Sequence, residues 1–195
     1  MSGHPAAGDD ALAARTRHRI VNSFHFLAAL ARMRAQKGQD TTPGEGLLWM
    51  ADIIADLGVL ERHVSGEGVA DIQAYLAGML QVWRDRYRRQ GLAFRLEACP
   101  LTLNEGAAPA FALVVLELVA MAARHGVPGT SRADIGLSLA READGPAYTL
   151  QVSPGPDPTA LSPDTFGMWL AESLARQIRG TLTHGPHDSV LRFIP

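Results

Sequence analysis

The chain has 195 residues and a formal net charge of −2, with a sequence pI near 6.4, so no global charge excess points to nucleic acid or an anionic membrane. Hydrophobic residues make up 47%, enough to bury a core in one domain or two small ones. Cys99 is the single cysteine, which excludes an intramolecular disulfide and fits a reducing cytoplasm.

Residues 1–10 are small, polar and acidic, and read as a flexible tail without the basic start or apolar run of a secretory signal. From Asp10 to Lys37 there is no Gly or Pro, which predicts one long helix. Gly38 to Gly46 reads as a loop. Thr42, Pro43 and Glu45 form a helix-start signal, a capping hydroxyl and a first-turn proline with an acid three residues on. A second helix is expected from Pro43 to His63, with Leu47, Met50, Ile54 and Leu57 as its apolar stripe, widened by Leu48, Ala51, Ile53 and Leu60. Two long helices with a short connection imply an antiparallel hairpin, and two such hairpins a four-helix bundle in a homodimer.

Ser65 to Gly68 is a polar break. A third helix is expected from Val69 to Gln90, with Ile72, Leu76, Met79, Leu80 and Trp83 buried and Gly91 as its stop. Leu92 to Ala98 alternates like a strand. Glu105 to Arg124 is a strongly apolar helix, stopped by Gly126 and Pro128. Its stretch Phe111 to Ala123 is too short to span a bilayer. Asp134 to Arg141 and Ala147 to Ser153 read as paired strands, Pro154 to Pro163 as a proline-rich loop and Phe166 to Ile178 as a helix. Thr181 to His184 and Ser189 to Ile194 read as a closing hairpin through Gly185-Pro186. The fold class is α+β, with a flexible tail at 1–10, a helical hairpin at 11–66 and a mixed α/β domain at 67–195.

On the first helix, at about 100° per residue, Ile20, Phe24, Leu27 and Ala31 lie roughly 180–240° from His18 and form a bundle-facing stripe. Asn22, His25 and Ala29 lie within about 40° of His18. An imidazole on a wet face titrates near ~6.5 and offers a neutral nitrogen at cellular pH. It can attack an acyl phosphate and hold the phosphoryl as a phosphoramidate. Asn22 would position phosphoryl oxygens and Ala29 would leave room for a docking partner. The plain alternative is a solvated surface histidine.

His18-Arg19-Ile20-Val21-Asn22 resembles the His-Arg-Val-Lys-Asn box of the HWE and related histidine kinases. The resemblance implies that His18 is the phosphorylated residue and Asn22 the asparagine of the box, with Val21 in place of the usual lysine. Arg19, Val21, His25 and Ala29 would then face the partner, and His25 is the rival acceptor.

The segment Glu117-Leu118-Val119-Ala120-Met121-Ala122-Ala123-Arg124-His125 is similar to the N-box helix of these kinases. Both asparagines are missing from it, with Leu116 and Met121 in their places. A thioether supplies no hard oxygen ligand to magnesium. Where the family has an Asp-x-Gly-x-Gly turn, this chain has Ser153-Pro154-Gly155-Pro156-Asp157. One glycine remains of the later Gly-x-Gly, in Phe166-Gly167-Met168-Trp169. A triphosphate cradle needs those glycines for close backbone approach. Leu170 to Leu182, with its turn Arg179-Gly180, and the end Arg192-Phe193-Ile194-Pro195 resemble the closing helix and strand of the same domain.

The resemblance thus implies a cytoplasmic histidine phosphotransfer protein with a degenerate, ATPase-like kinase domain. It would relay phosphoryl groups between response-regulator receiver domains. No cofactor would be permanently bound, ATP is not expected, and Mg2+ would come with the partner receiver. No nucleic acid or membrane partner is expected. Two alternatives stand beside it, a divergent active kinase lacking its own sensor and a non-catalytic pseudokinase that binds a regulator. The basic run Arg84, Arg86, Arg88 and Arg89 with Trp83 and Tyr87 reads as a solvated helix end or, less simply, a phosphate patch. His184 and His187 lack the companion ligands of a metal site. Cys99 reads as a small buried residue.

Overall fold

A computed structural model describes residues 6–37, 42–124, 134–153, 165–185 and 188–195. Within it the chain forms two compact units, Met1–Ile54 and Ala55–Pro195.

The first unit holds helix α1 (Ala6–Lys37) and most of α2 (Pro43–Glu61). Helix α1 begins four residues before the expected Asp10, since Ala6 and Ala7 extend it at little conformational cost. The start of α2 is a capping box. The Glu45 carboxylate accepts from the Thr42 backbone N–H and hydroxyl, both at 2.8 Å, and the Thr42 hydroxyl accepts from Glu45 N–H at 3.3 Å. Arg34 of α1 lies over the Trp49 ring of α2, 5.2 Å from its centroid.

Within one chain the apolar stripes expected on these helices are covered only in part. Among the described side chains of α1 the fully buried one is Leu30, about 120° from His18, while Ile20 and Phe24 stay 51% and 66% exposed. On α2, Ile53, Asp56, Val59 and Leu60 are buried, whereas Leu47, Leu48 and Ile54 are exposed and Met50 and Leu57 half-buried. Both helices are apolar over more than one face, so periodicity alone could not choose which face the chain covers with its own residues.

The second unit starts inside α2, ahead of the boundary expected near Gly66. The reason is packing: Asp56 is fully buried and pairs with Arg86 of helix α3 (Ile72–Arg86) at 2.7 Å. Gly78 of α3 admits Val59 and His63, which lie 3.3 and 3.2 Å from where a Cβ would sit. Val69–Asp71, expected as the first turn of that helix, is instead strand β1. It pairs antiparallel with β3 (Thr102–Asn104), putting Ala70 against Leu103. Asp71 then caps α3, its carboxylate accepting from Ala74 N–H at 2.9 Å. Ile72, Leu76, Met79 and Trp83 are buried as expected; Leu80 is only half-buried and Tyr75 takes a core position. Gly91 ends the following 3-10 turn (Arg88–Gln90) in the left-handed conformation, φ 69°.

A five-stranded sheet follows in the order β2-β4-β5-β7-β6, with β2 at Ala93–Ala98, β4 at Asp134–Arg141, β5 at Tyr148–Ser153, β6 at Thr181–His184 and β7 at Ser189–Phe193. The parallel β2–β4 pair is bridged by helix α4 (Ala108–Arg124), as parallel strands require a crossover. The other pairs are antiparallel, among them the expected β4–β5 and β6–β7 hairpins. Helix α4 starts three residues after the expected Glu105, because the Asn104 side chain caps a turn there, accepting from Gly106 and Ala107 N–H at 3.0 and 2.9 Å. It is buried almost all round and is the spine of the core. It packs on β4, β5 and helix α5 (Thr165–Gln177), with Phe111 and Phe193 ring centroids 5.4 Å apart. The opposite sheet face carries polar residues, including Thr149, Gln151 and Arg192. Beyond α5, Gly180 is required by close approach: a Cβ there would lie 3.0 Å from the Arg192 carbonyl and 3.1 Å from that of Ala175. The arrangement is α+β, as expected. Residues 154–164, which hold the expected proline-rich loop, and the stops Gly126 and Pro128 lie outside the described residues.

Candidate functional site

Helix α1 presents His18, Val21, Asn22, His25 and Ala29 to solvent, and Arg19 half-buried. His18, Asn22, His25 and Ala29 therefore form one accessible line along the helix, the face expected from their spacing. Val21, 45% exposed, flanks it. Arg19 sits instead on the side of Leu30, so it is less available to a partner than its neighbour in sequence suggested. The exposed Ile20 and Phe24 form a second, apolar strip on the same helix.

The other candidate lies in the second unit, between α4 and α5. Glu117 is 5% exposed, and Leu116 and Met121, which stand where the resemblance expects asparagines, are 2% and 5% exposed. Glu117, Met121, Arg124, Gly167 and Met168 are among the residues lining a cleft of about 10 Å3. That is room for roughly one water. Met121 thus puts a buried thioether on the cleft wall, and a thioether supplies no hard oxygen ligand to magnesium. His125, Gly155 and Asp157 lie outside the described residues. A larger hollow of about 310 Å3 opens elsewhere in this unit, lined in part by Asn104, Gln177, Arg179 and Phe193.

Among the described residues no group of His, Cys, Asp and Glu is arranged to hold a metal ion. His184 bonds through Nδ1 to the Ser189 hydroxyl at 2.8 Å, and burial lowers its pKa, with Glu172 opposing; His187 lies outside the described residues. Cys99 is half-buried. Arg86 of the basic run is tied to Asp56, while Arg84, Arg88 and Arg89 are exposed. No described helix is long and apolar enough to cross a membrane.

One signal on α1 escaped the motif-based reading. Between residues 11 and 37 the sequence has Arg15, Arg17, Arg19, Arg32, Arg34 and Lys37 but no Asp or Glu. A count of charge per helix would have found it.

No protein-family model matches the sequence, and no curated protein matches it. Its fold is similar to that of the blue-light activated histidine kinase EL346 of Erythrobacter litoralis, with a TM-score of 0.70 and 14% identity over 91% of this chain and 62% of that one. It is also similar to the histidine kinase domain of the same protein (TM-score 0.67, 14% identity, 95% of this chain and 91% of that one). A third likeness is to the histidine kinase AdeS of Acinetobacter baumannii (TM-score 0.54, 14% identity, 88% and 96%). The chain spans under two thirds of the longer EL346 structure. Identity this low speaks to fold, and the conclusion it carries is that the chain has a histidine-kinase-like fold.

Proposed function

We propose that the protein is a cytoplasmic histidine phosphotransfer protein of a two-component phosphorelay, working as a homodimer with His18 as its phosphoryl carrier. The observation that carries this reading is the accessible line His18, Asn22, His25, Ala29 on α1. A ring nitrogen of neutral His18 attacks the phosphorus of a receiver's aspartyl phosphate. The N–P bond forms as the bond from phosphorus to the acyl oxygen breaks, and the aspartate leaves as carboxylate. Reversal onto a second receiver completes the relay. Mg2+ held by the receiver would neutralise the phosphoryl charge in both directions. Asn22, one turn on, positions phosphoryl oxygens.

The cleft at Met121 supports transfer without ATP, since the buried thioether there supplies no hard oxygen ligand to magnesium. The apolar strip of Ile20 and Phe24, with Leu47 and Leu48 on α2, supports a second copy as its cover.

The test is incubation with acetyl-phosphate-charged receiver domains in the absence of nucleotide. Acid-labile label is expected on His18, and loss of at least about a thousandfold in transfer is expected for His18→Ala, since the bond-forming atom is gone. Label on His25 instead, or none, overturns the reading. Saturable ATP binding with self-labelling of His18 would favour the active-kinase alternative.

A further inference from the structure

The charge of α1 identifies the chemistry of the surface that meets His18; this inference rests on the phosphotransfer reading. The His18 helix is cationic and free of carboxylates from residue 11 to residue 37. The next helix is its converse: α2 carries Glu45, Asp52, Asp56 and Glu61, with no Lys or Arg. Part of the cationic charge is engaged within the first unit. Arg34 is half-buried over Trp49 and helps to lower the Glu45 pKa, behind the Thr42 hydrogen bonds. Arg17 and Arg32 differ, because both are exposed.

Arg32 lies about 40° from His18 around the helix and about 21 Å along it. It therefore extends the line His18, Asn22, His25, Ala29 by one more turn. Arg17 sits beside His18 on the opposite flank from Arg19. The accessible face is thus built of imidazoles, an amide, a small residue and guanidiniums, and no acid between residues 11 and 37 of α1 offsets them. Such a face repels a basic surface and attracts an acidic one, mainly by raising the rate of productive encounter.

We infer that Arg17 and Arg32 make the His18 face a dock for a partner whose own docking surface is acidic, with carboxylates ringing the phosphorylated aspartate. Docking of this kind follows salt, because exposed charges are screened over about 10 Å at 0.1 M and over less at higher ionic strength. It also makes the two arginines selective against receivers with a basic rim, where like charges meet.

The probe is a purified receiver domain, charged with acetyl phosphate, that transfers phosphoryl to His18. At receiver concentrations well below saturation, the transfer rate is expected to fall about tenfold between about 50 and about 500 mM NaCl. Arg17→Glu and Arg32→Glu should each lower it severalfold with helical content unchanged by circular dichroism, and Arg32→Lys should retain it. Salt-independent transfer with undiminished rates in both charge-reversed variants overturns the inference while leaving His18 as the carrier. A change in oligomeric state by light scattering, with transfer intact, also overturns it and assigns the arginines to a second copy. If no charged receiver labels wild-type His18, the underlying reading falls and this inference falls with it.

Discussion

The two compact units treat their apolar residues in opposite ways. In the second unit, α4 is buried from Ala108 to Ala123 at nearly every position, and the sheet turns Phe94, Ile135, Leu150 and Leu191 inward. In the first unit, Ile20, Val21, Phe24, Leu47, Leu48 and Ile54 are all exposed. One unit closes its own core; the other leaves an apolar surface that its own described residues do not cover. The lesson concerns where function sits. The self-sufficient unit keeps Leu116 and Met121 inside its packing. The incompletely covered unit carries the accessible histidine.

The largest expected effect probes the closed core. Phe111 is 0% exposed and packs on Phe193, so Phe111→Ala should cost about 3–5 kcal/mol, through lost burial and a residual cavity. Urea denaturation followed by Trp fluorescence measures it. A cost under about 1 kcal/mol would mean that this core is loosely packed and the contrast false. Phe24→Ala makes the matching change on the open strip and should act differently. If a second copy covers the ring, its truncation removes about 1.5–3 kcal/mol of association free energy, roughly a ten- to hundredfold weaker dimer. Sedimentation equilibrium reads that directly. An unchanged self-association constant would leave the strip without its proposed cover and remove the bundle from the account.

Much of this contrast was legible in the sequence, and what was not has physical causes. Strands β4 and β6 and the capping box at Thr42–Glu45 follow from local patterns, because alternation and capping chemistry are local. Strands β1 and β3 were missed because three-residue strands show no periodicity and gain their stability from pairing across 30 or so residues of chain. Asp71 looked like a residue inside a helix until that pairing made it a cap. Asp56 is one of four acids on α2, and only the fold brings Arg86 to it. Such a pair depends on tertiary placement, since removing either partner strands a charge indoors. On α1, spacing alone identified the accessible line of His18, Asn22, His25 and Ala29, yet it assigned Leu27 and Ala31 to a buried stripe. The structure leaves Leu27 half-buried and Ala31 exposed and buries Leu30, on an adjoining side, instead. The order β2-β4-β5-β7-β6 lay beyond sequence reading because each strand has two edges and local patterns do not say which neighbour takes them.

The smallest expected effect compares two carboxylates with the same direction of pKa shift and different reach. Glu45 is held below the usual carboxylate range chiefly by the Thr42 backbone N–H, three residues away. Glu142 is held below it chiefly by Arg192, which donates to it through Nε and Nη2 at 2.7 and 2.8 Å, with the Thr149 hydroxyl adding a third bond. Both groups bind protons less readily in the folded chain than in the unfolded one. Each contribution is therefore complete above the unfolded carboxylate pKa, near ~4.3, and is lost as pH falls through the lower folded value. The Arg192 bond joins β7 to the end of β4, so its loss should lower the thermal midpoint of the sheet unit as a whole. The Glu45 bond is local to α2 and should change only how firmly that helix starts. Wild type and Glu142→Gln should thus differ in thermal midpoint at neutral pH and converge in acid, once pH falls below the lowered folded value, with the gap narrowing in salt because the pair meets solvent. Glu45→Gln should leave the midpoint of the sheet unit in place at every pH and show instead in amide exchange at the first turn of α2. A Glu142→Gln gap that persisted undiminished in acid would mean the stabilisation comes from packing of the side chain rather than from its charge.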